Sequence, residues 1–245
     1  MDQTSMPILE MLQAYEREKV IPFHMPGHKH GKGFQQLGRS ACLTWDITEF
    51  HDSDNLHDPQ GAIRDAQILA AEAFGAKNTF FLVNGSSVGI MAMILSAVRP
   101  GGKIIIPRNS HKSVLNGIVL GDLEPVYVFP ELDEEHALLT GVSVQSIIDK
   151  MDEHPDADAI LVTYPNYYGM ARNLQEIEKE VHVRGKLLLV DEAHGAHFPF
   201  SHRLPPSSSL VGADMWVQSA HKTLPALTQS AYLHVGTDRI DVGRV

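Results

Sequence analysis

Lys222 and Asp191 are the residues of this sequence whose types and settings most directly suggest chemistry. Lys222 lies in Ser219-Ala220-His221-Lys222-Thr223, just after an apolar run. A lysine amine forms a Schiff base with a carbonyl once a dry pocket or a nearby cation disfavours its ammonium form, whose ordinary pKa is about 10.4. Asp191 ends the run Leu187-Leu188-Leu189-Val190. An acid at the end of a buried strand points into the ligand crevice, where a carboxylate can hold a pyridine nitrogen protonated and make that ring an electron sink. Asn84-Gly85-Ser86-Ser87 falls between an apolar run and a helix-like segment. The exposed N–H groups and dipole of a helix start favour a phosphate, Gly85 lets the backbone come close, and Ser86 and Ser87 add hydroxyls. Ser219 and His221 could contact the same phosphate. In Asn109-Ser110-His111-Lys112-Ser113, His111 could stack on an aromatic ring.

Each of these has an ordinary counterpart. Asn84 could cap a helix, Asp191 could cap the segment after it, Lys222 could be a solvated charge, and His111 could make a single backbone bond at a helix start. Asp191-Glu192-Ala193-His194 also matches a helicase motif, but no G-x-x-x-x-G-K-[ST] phosphate loop exists in the chain. The four segments are informative through their order, since each follows an expected strand.

Those strands are expected at residues 79–83, 103–106, 125–129, 159–163, 187–190, 215–218 and 231–235, mostly short apolar runs suited to burial on both faces. Helices are expected at 64–74, 87–98, 111–120, 144–154 and 174–183. This alternation predicts an α/β fold with a mostly parallel seven-stranded sheet flanked by helices, its ligand at the carboxyl ends of the strands. Before it, residues 5–18 predict one amphipathic helix with Ile8, Leu9, Met11, Leu12 and Tyr15 on its apolar side. An ordered loop rich in Pro and Gly follows, from Pro22 to Gly33. Two parts are expected: an arm over residues 1–57 and a large domain over 58–245. The acidic stretch 49–58 reads as a solvated loop, or as a charge placed to attract a basic substrate.

At 245 residues and 43% hydrophobic the chain can bury a sizeable core. A net charge of −10 without a basic run argues against nucleic acid. The single cysteine, Cys42, forbids an internal disulfide and fits a reducing compartment. The N-terminus has no signal-peptide pattern and no apolar run is long enough for a bilayer, so a cytoplasmic protein is expected.

With these residues in view, the sequence resembles the Orn/Lys/Arg decarboxylase family, bacterial enzymes of fold type I that use pyridoxal 5'-phosphate. Pro22-Phe23-His24-Met25-Pro26-Gly27-His28-Lys29 looks like the family's N-terminal signature and Ser219-Ala220-His221-Lys222-Thr223-Leu224 like its lysine signature. The resemblance covers essentially the whole chain. It implies Lys222 as the Schiff-base lysine, Asp191 as partner of the pyridine nitrogen and His111 stacked on the ring. It implies Ala193 packed against that ring, and Ser86, Ser87, Ser219 and His221 on the phosphate, with Gly85 in the phosphate loop. It also implies a homodimer at minimum, with the site shared between subunits, and a basic amino acid as substrate: arginine, lysine or ornithine. Asp191-Glu192-Ala193-His194-Gly195-Ala196-His197 looks like the compact members, which lean toward arginine, and no N-terminal wing is expected. Family members continue past the position of Val245 into the rest of the large domain and a small C-terminal domain, so the activity is expected of an intact enzyme and not of this chain alone.

Three other readings stay open at this point. An aminotransferase or other lyase of the same fold would share Asp191 and Lys222. A metal site would draw on the fourteen histidines, with His24, His28 and His30 in one loop and His194 and His197 in another, though no H-E-x-x-H or paired Cys pattern supports it. A non-catalytic remnant pairing with a longer relative is the third.

Overall fold

A computed structural model describes residues 1–23, 29–30, 44–50 and 53–245. Residues 24–28 of the Pro22–Lys29 signature, with its His24 and His28, most of the expected loop from Pro22 to Gly33, Cys42, and His51 and Asp52 of the acidic stretch lie outside the described residues. The chain divides into two compact units, Met1–Ala73 and Phe74–Val245.

In the first unit, helix α1 (Pro7–Glu18) opens with proline in its first turn and closes at Lys19, which takes the left-handed conformation. Tyr15 is buried, and Ile8, Leu9, Met11 and Leu12 are half-buried, the side the sequence pattern predicts. Helix α2 (Ala62–Phe74) is organised by Asp54. Asp54 Oδ1 accepts the N–H groups of Asn55 and Gln60, both at 2.8 Å. Oδ2 accepts those of Gly61 at 3.0 Å, Ile63 at 2.8 Å and Arg64 at 3.3 Å. Burial alone would raise this acid; the N–H groups of Gln60, Asn55, Gly61 and Ile63 outweigh it and hold the pKa at about 2. Part of the acidic stretch is therefore a helix-start anchor, where free N–H groups need an acceptor.

The second unit is a seven-stranded sheet with helices on both faces. Its strands are β1 (Asn78–Leu82), β2 (Lys103–Pro107), β3 (Glu124–Val128), β6 (Ala157–Thr163), β7 (Leu187–Asp191), β8 (Met215–Gln218) and β9 (Ala231–Val235), in the order β1-β9-β8-β7-β6-β2-β3. The pairs β3–β2, β2–β6, β6–β7 and β7–β8 are parallel; β9 runs antiparallel to both β8 and β1. Six strands therefore share one direction and present their carboxyl ends along one edge.

Alternate residues feed opposite faces. Ile104, Ile106, Leu189 and Val217 pack with Ile90, Met93 and Ile94 of α3 (Gly85–Ala97) and with Val114 and Ile118 of α4 (Lys112–Leu120). Ile105, Leu188, Val190 and Trp216 pack with Ile147 and Met151 of α5 (Val144–Glu153) and with Ile177 and Val181 of α6 (Leu174–Val183). Both layers are apolar because a mostly parallel sheet is covered twice.

The expected strands and the large helices stand within about two residues of their places. Not expected was a hairpin of β4 (Glu131–Asp133) and β5 (Leu138–Gly141). Its turn is set by Asp133, whose Oδ1 accepts the N–H groups of Glu135 and His136. Two four-residue helices, α7 (Ser208–Val211) and α8 (Ala220–Thr223), also went unread, because four residues carry no periodicity.

Candidate active site

A cleft of about 430 Å³ opens at the carboxyl edge of the sheet. The nine positions expected to hold the cofactor line it: Gly85, Ser86, Ser87, His111, Asp191, Ala193, Ser219, His221 and Lys222. The loops after β1, β2, β7 and β8 deliver them from distant points of the chain.

Asp191 is the last residue of β7, opposite Thr163 on β6 and Val217 on β8. It is 3% exposed, and its Oδ1 accepts the Ala193 N–H at 3.2 Å. Burial pushes its pKa up, opposed by that N–H and by the charges of Lys222 and His111. A carboxylate so placed suits a cationic ring nitrogen.

The phosphate end is a turn plus a helix start. Gly85 has φ +67° and open space where a Cβ would be, so the backbone turns there without strain and leaves room for a ligand. Its N–H donates to the Gln229 carbonyl at 3.0 Å. Asn84 makes no side-chain cap, so the first-turn N–H groups of α3 are not closed by it. Ser219, fully buried, donates from Oγ to Ser86 Oγ at 2.8 Å, joining the ends of β8 and β1. His221 Nδ1 donates to the Ser230 carbonyl at 3.0 Å, which leaves Nε2 as a donor only in the imidazolium form. Two cradling hydroxyls, a helix start and an imidazole suit a phosphate, and Asp191 suits a pyridine nitrogen. The donor set fits pyridoxal 5'-phosphate.

His111 caps α4: its Nδ1 accepts the Ser113 N–H at 3.2 Å and lies 2.8 Å from Ser113 Oγ. The backbone bond and the place in the cleft thus coexist, since a cap uses the ring's edge and leaves its faces open. Lys222 sits on α8 and is exposed, so no dry pocket encloses its amine among the described residues.

Sequence reasoning missed part of the lining. Tyr167 and Tyr168 stand exposed at the mouth, edge to face at 5.7 Å. Asn166 shapes their loop: its Oδ1 accepts the N–H groups of Tyr168 and Met170, and its Nδ2 donates to the Leu139 carbonyl of the hairpin. His194 lines the wall and meets Lys222. The run Asn166-Tyr167-Tyr168-Gly169, in the loop after β6, was the available signal. Among the described residues no group of three or more His, Cys, Asp or Glu is placed to hold a metal ion.

The family model for "Orn/Lys/Arg decarboxylase, major domain" matches residues 6–245. The chain belongs to the Orn/Lys/Arg decarboxylase family. It is 42% identical to the arginine decarboxylase of Halalkalibacterium halodurans over 247 residues, 99% of this chain and 50% of that protein. Among solved structures, lysine decarboxylase A from Pseudomonas aeruginosa superposes with a TM-score of 0.86 at 26% identity, covering 97% of this chain and 36% of that one. The pyridoxal-5'-phosphate dependent protein YhfS from Escherichia coli shares the fold, with a TM-score of 0.61 at 15% identity over 96% of this chain and 55% of that one. The fold of this family member is thus the fold-type-I one. The chain spans about half the length of the curated relatives it matches. Among the described residues no helix is long and apolar enough to cross a membrane.

Proposed function

We propose that this chain forms the pyridoxal 5'-phosphate site of a decarboxylase acting on a basic amino acid. The observation that carries this reading is the convergence of Lys222, Asp191 and the Ser86–Ser219 hydroxyl pair on one cleft. When bound, pyridoxal phosphate supplies a carbonyl that captures amines and a protonated ring that draws electrons from the bond between Cα and the carboxylate. Asp191 keeps the proton on the ring nitrogen. Ser86, Ser87, Ser219 and His221 would hold the phosphate, and Gly85 would admit it close to the backbone. His111 would stack on the ring and Ala193 would pack against it. Lys222 would be the amine that takes the cofactor's carbonyl.

Arginine, lysine and ornithine each end in a cation. Tyr167 and Tyr168 offer aromatic faces to such a group at the cleft mouth, and a flat guanidinium stacks on them better than an ammonium does. With the similarity to an arginine decarboxylase, this favours arginine, giving carbon dioxide and agmatine. Residues 1–57 act as an arm and 58–245 as the cofactor domain of a cytoplasmic homodimer whose site is shared between subunits.

The test is product analysis of the purified protein with cofactor and each basic amino acid. Carbon dioxide with the matching amine is expected, fastest from arginine. Keto-acid formation would assign an aminotransferase instead.

A further inference from the structure

Lys222 Nζ lies 3.0 Å from His194 Nε2. If the lysine donates in this contact, Nε2 is the bare nitrogen of a neutral ring and the ring proton sits on Nδ1. Nδ1 is buried and has no hydrogen-bond partner among the described residues. Nothing else therefore fixes the ring's edge, and its bond to Lys222 is the polar contact it makes. The backbone aims the ring instead. Gly195 N–H donates to the Glu192 carbonyl at 2.9 Å, closing a tight turn around His194. A Cβ on Gly195 would lie 2.6 Å from Glu192 Cγ and 2.9 Å from Pro165 Cδ, so the turn cannot be loosened by a larger residue. Tyr167 packs edge-on against the imidazole at 5.9 Å. Burial first, then the charges of Lys222 and His111, push the His194 pKa down, which keeps the ring neutral and able to accept. Asp191, three residues earlier, is the acid of the same cleft.

We propose that His194 is a positioning residue for Lys222, its Nε2 accepting from Nζ and aiming the amine into the cleft. This rests on the reading of Lys222 as the amine that takes the cofactor. A lysine on a four-residue helix at an open rim has four free rotors. One fixed acceptor at 3.0 Å restricts them before the carbonyl arrives.

The experiment follows capture of pyridoxal 5'-phosphate by absorbance, with borohydride reduction and peptide mapping to score Lys222. It compares the wild type, His194→Phe and His194→Gln. Loss of one hydrogen bond predicts capture about three- to tenfold slower in the Phe variant. The Gln variant, whose Oε1 accepts at the same reach, should stay within about twofold of the wild type. A Phe variant as fast as the wild type, or a Gln variant as slow as Phe, overturns the proposal. A second arm needs no cofactor: NMR titration of the His194 ring, in the wild type and in Lys222→Met. The wild-type midpoint should lie below 6.5 and rise when the lysine is removed; an unmoved midpoint overturns the contact. If the wild type captures nothing at Lys222, the cofactor reading falls while the titration still decides on His194.

Discussion

Asp191 and Glu192 are adjacent and both buried, yet they face different partners. Asp191 looks into the cleft. Glu192 looks away from it: its Oε1 accepts from Ser208 N and Oγ at 2.8 and 2.9 Å, and its Oε2 from Gln218 Nε2 at 2.6 Å. Alternation along the extended chain separates the two side chains. Asp191→Asn should therefore keep the cleft and its phosphate contacts but lose the ring-nitrogen counter-charge. Turnover is expected to fall by about a hundredfold or more with cofactor still bound; steady-state rates alongside a binding titration check this, and an Asn variant with near-normal rates would remove Asp191 from that role. Asp54 makes a prediction of another kind. Its substitution by Ala strips an acceptor from the start of α2 and should cost about 1–2 kcal/mol in a thermal or urea melt. The places of Asp191 and Lys222 at the cleft were legible in the sequence because each lies at or within a few residues of the end of an apolar run. His194 was not assigned, because the turn that aims it is set by packing against Pro165 from another loop.

A polar rail crosses four neighbouring strands behind the cleft. Thr79 on β1 meets His234 Nδ1 on β9 at 2.8 Å, His234 Nε2 donates to Gln218 Oε1 on β8 at 3.1 Å, and Gln218 reaches Glu192 after β7. Trp216 stacks on His234 with ring centres 5.0 Å apart. Burial pushes the Glu192 pKa from 4.5 to about 7, opposed by its donors Gln218 and Ser208, and pushes His234 down to about 3. An acid with a raised folded pKa stabilises fully below its unfolded value. That contribution is lost as pH rises through the folded value. The window for Glu192 runs from about pH 4.5 to 7, and the loss is on the order of 3 kcal/mol. Glu192→Gln has no proton to lose. The stability of the wild type relative to this variant should fall across that window in urea unfolding; a difference independent of pH would contradict the account. None of this rail was read in advance. Each member sits at a strand position whose neighbour depends on sheet order, and local periodicity does not contain that order.

At the scale of the molecule, apolar runs placed all seven strands and the mostly parallel character of the sheet. Loops following those runs placed the cleft. The antiparallel insertion of β9 between β1 and β8 is a property of long-range pairing. It sets the Ser86 and Ser219 loops side by side, which the sequence could only suggest through their shared chemistry. The chain spans about half the length of the curated relatives it matches, and turnover involves more than the cofactor site. The most direct measurement leaves turnover out. Pyridoxal 5'-phosphate is added to the purified chain, reduced in place with borohydride, and the labelled peptide is identified by mass spectrometry. The account predicts one stoichiometric label on Lys222, absent from Lys222→Ala. Labels scattered over surface lysines, or a single label elsewhere, would contradict it.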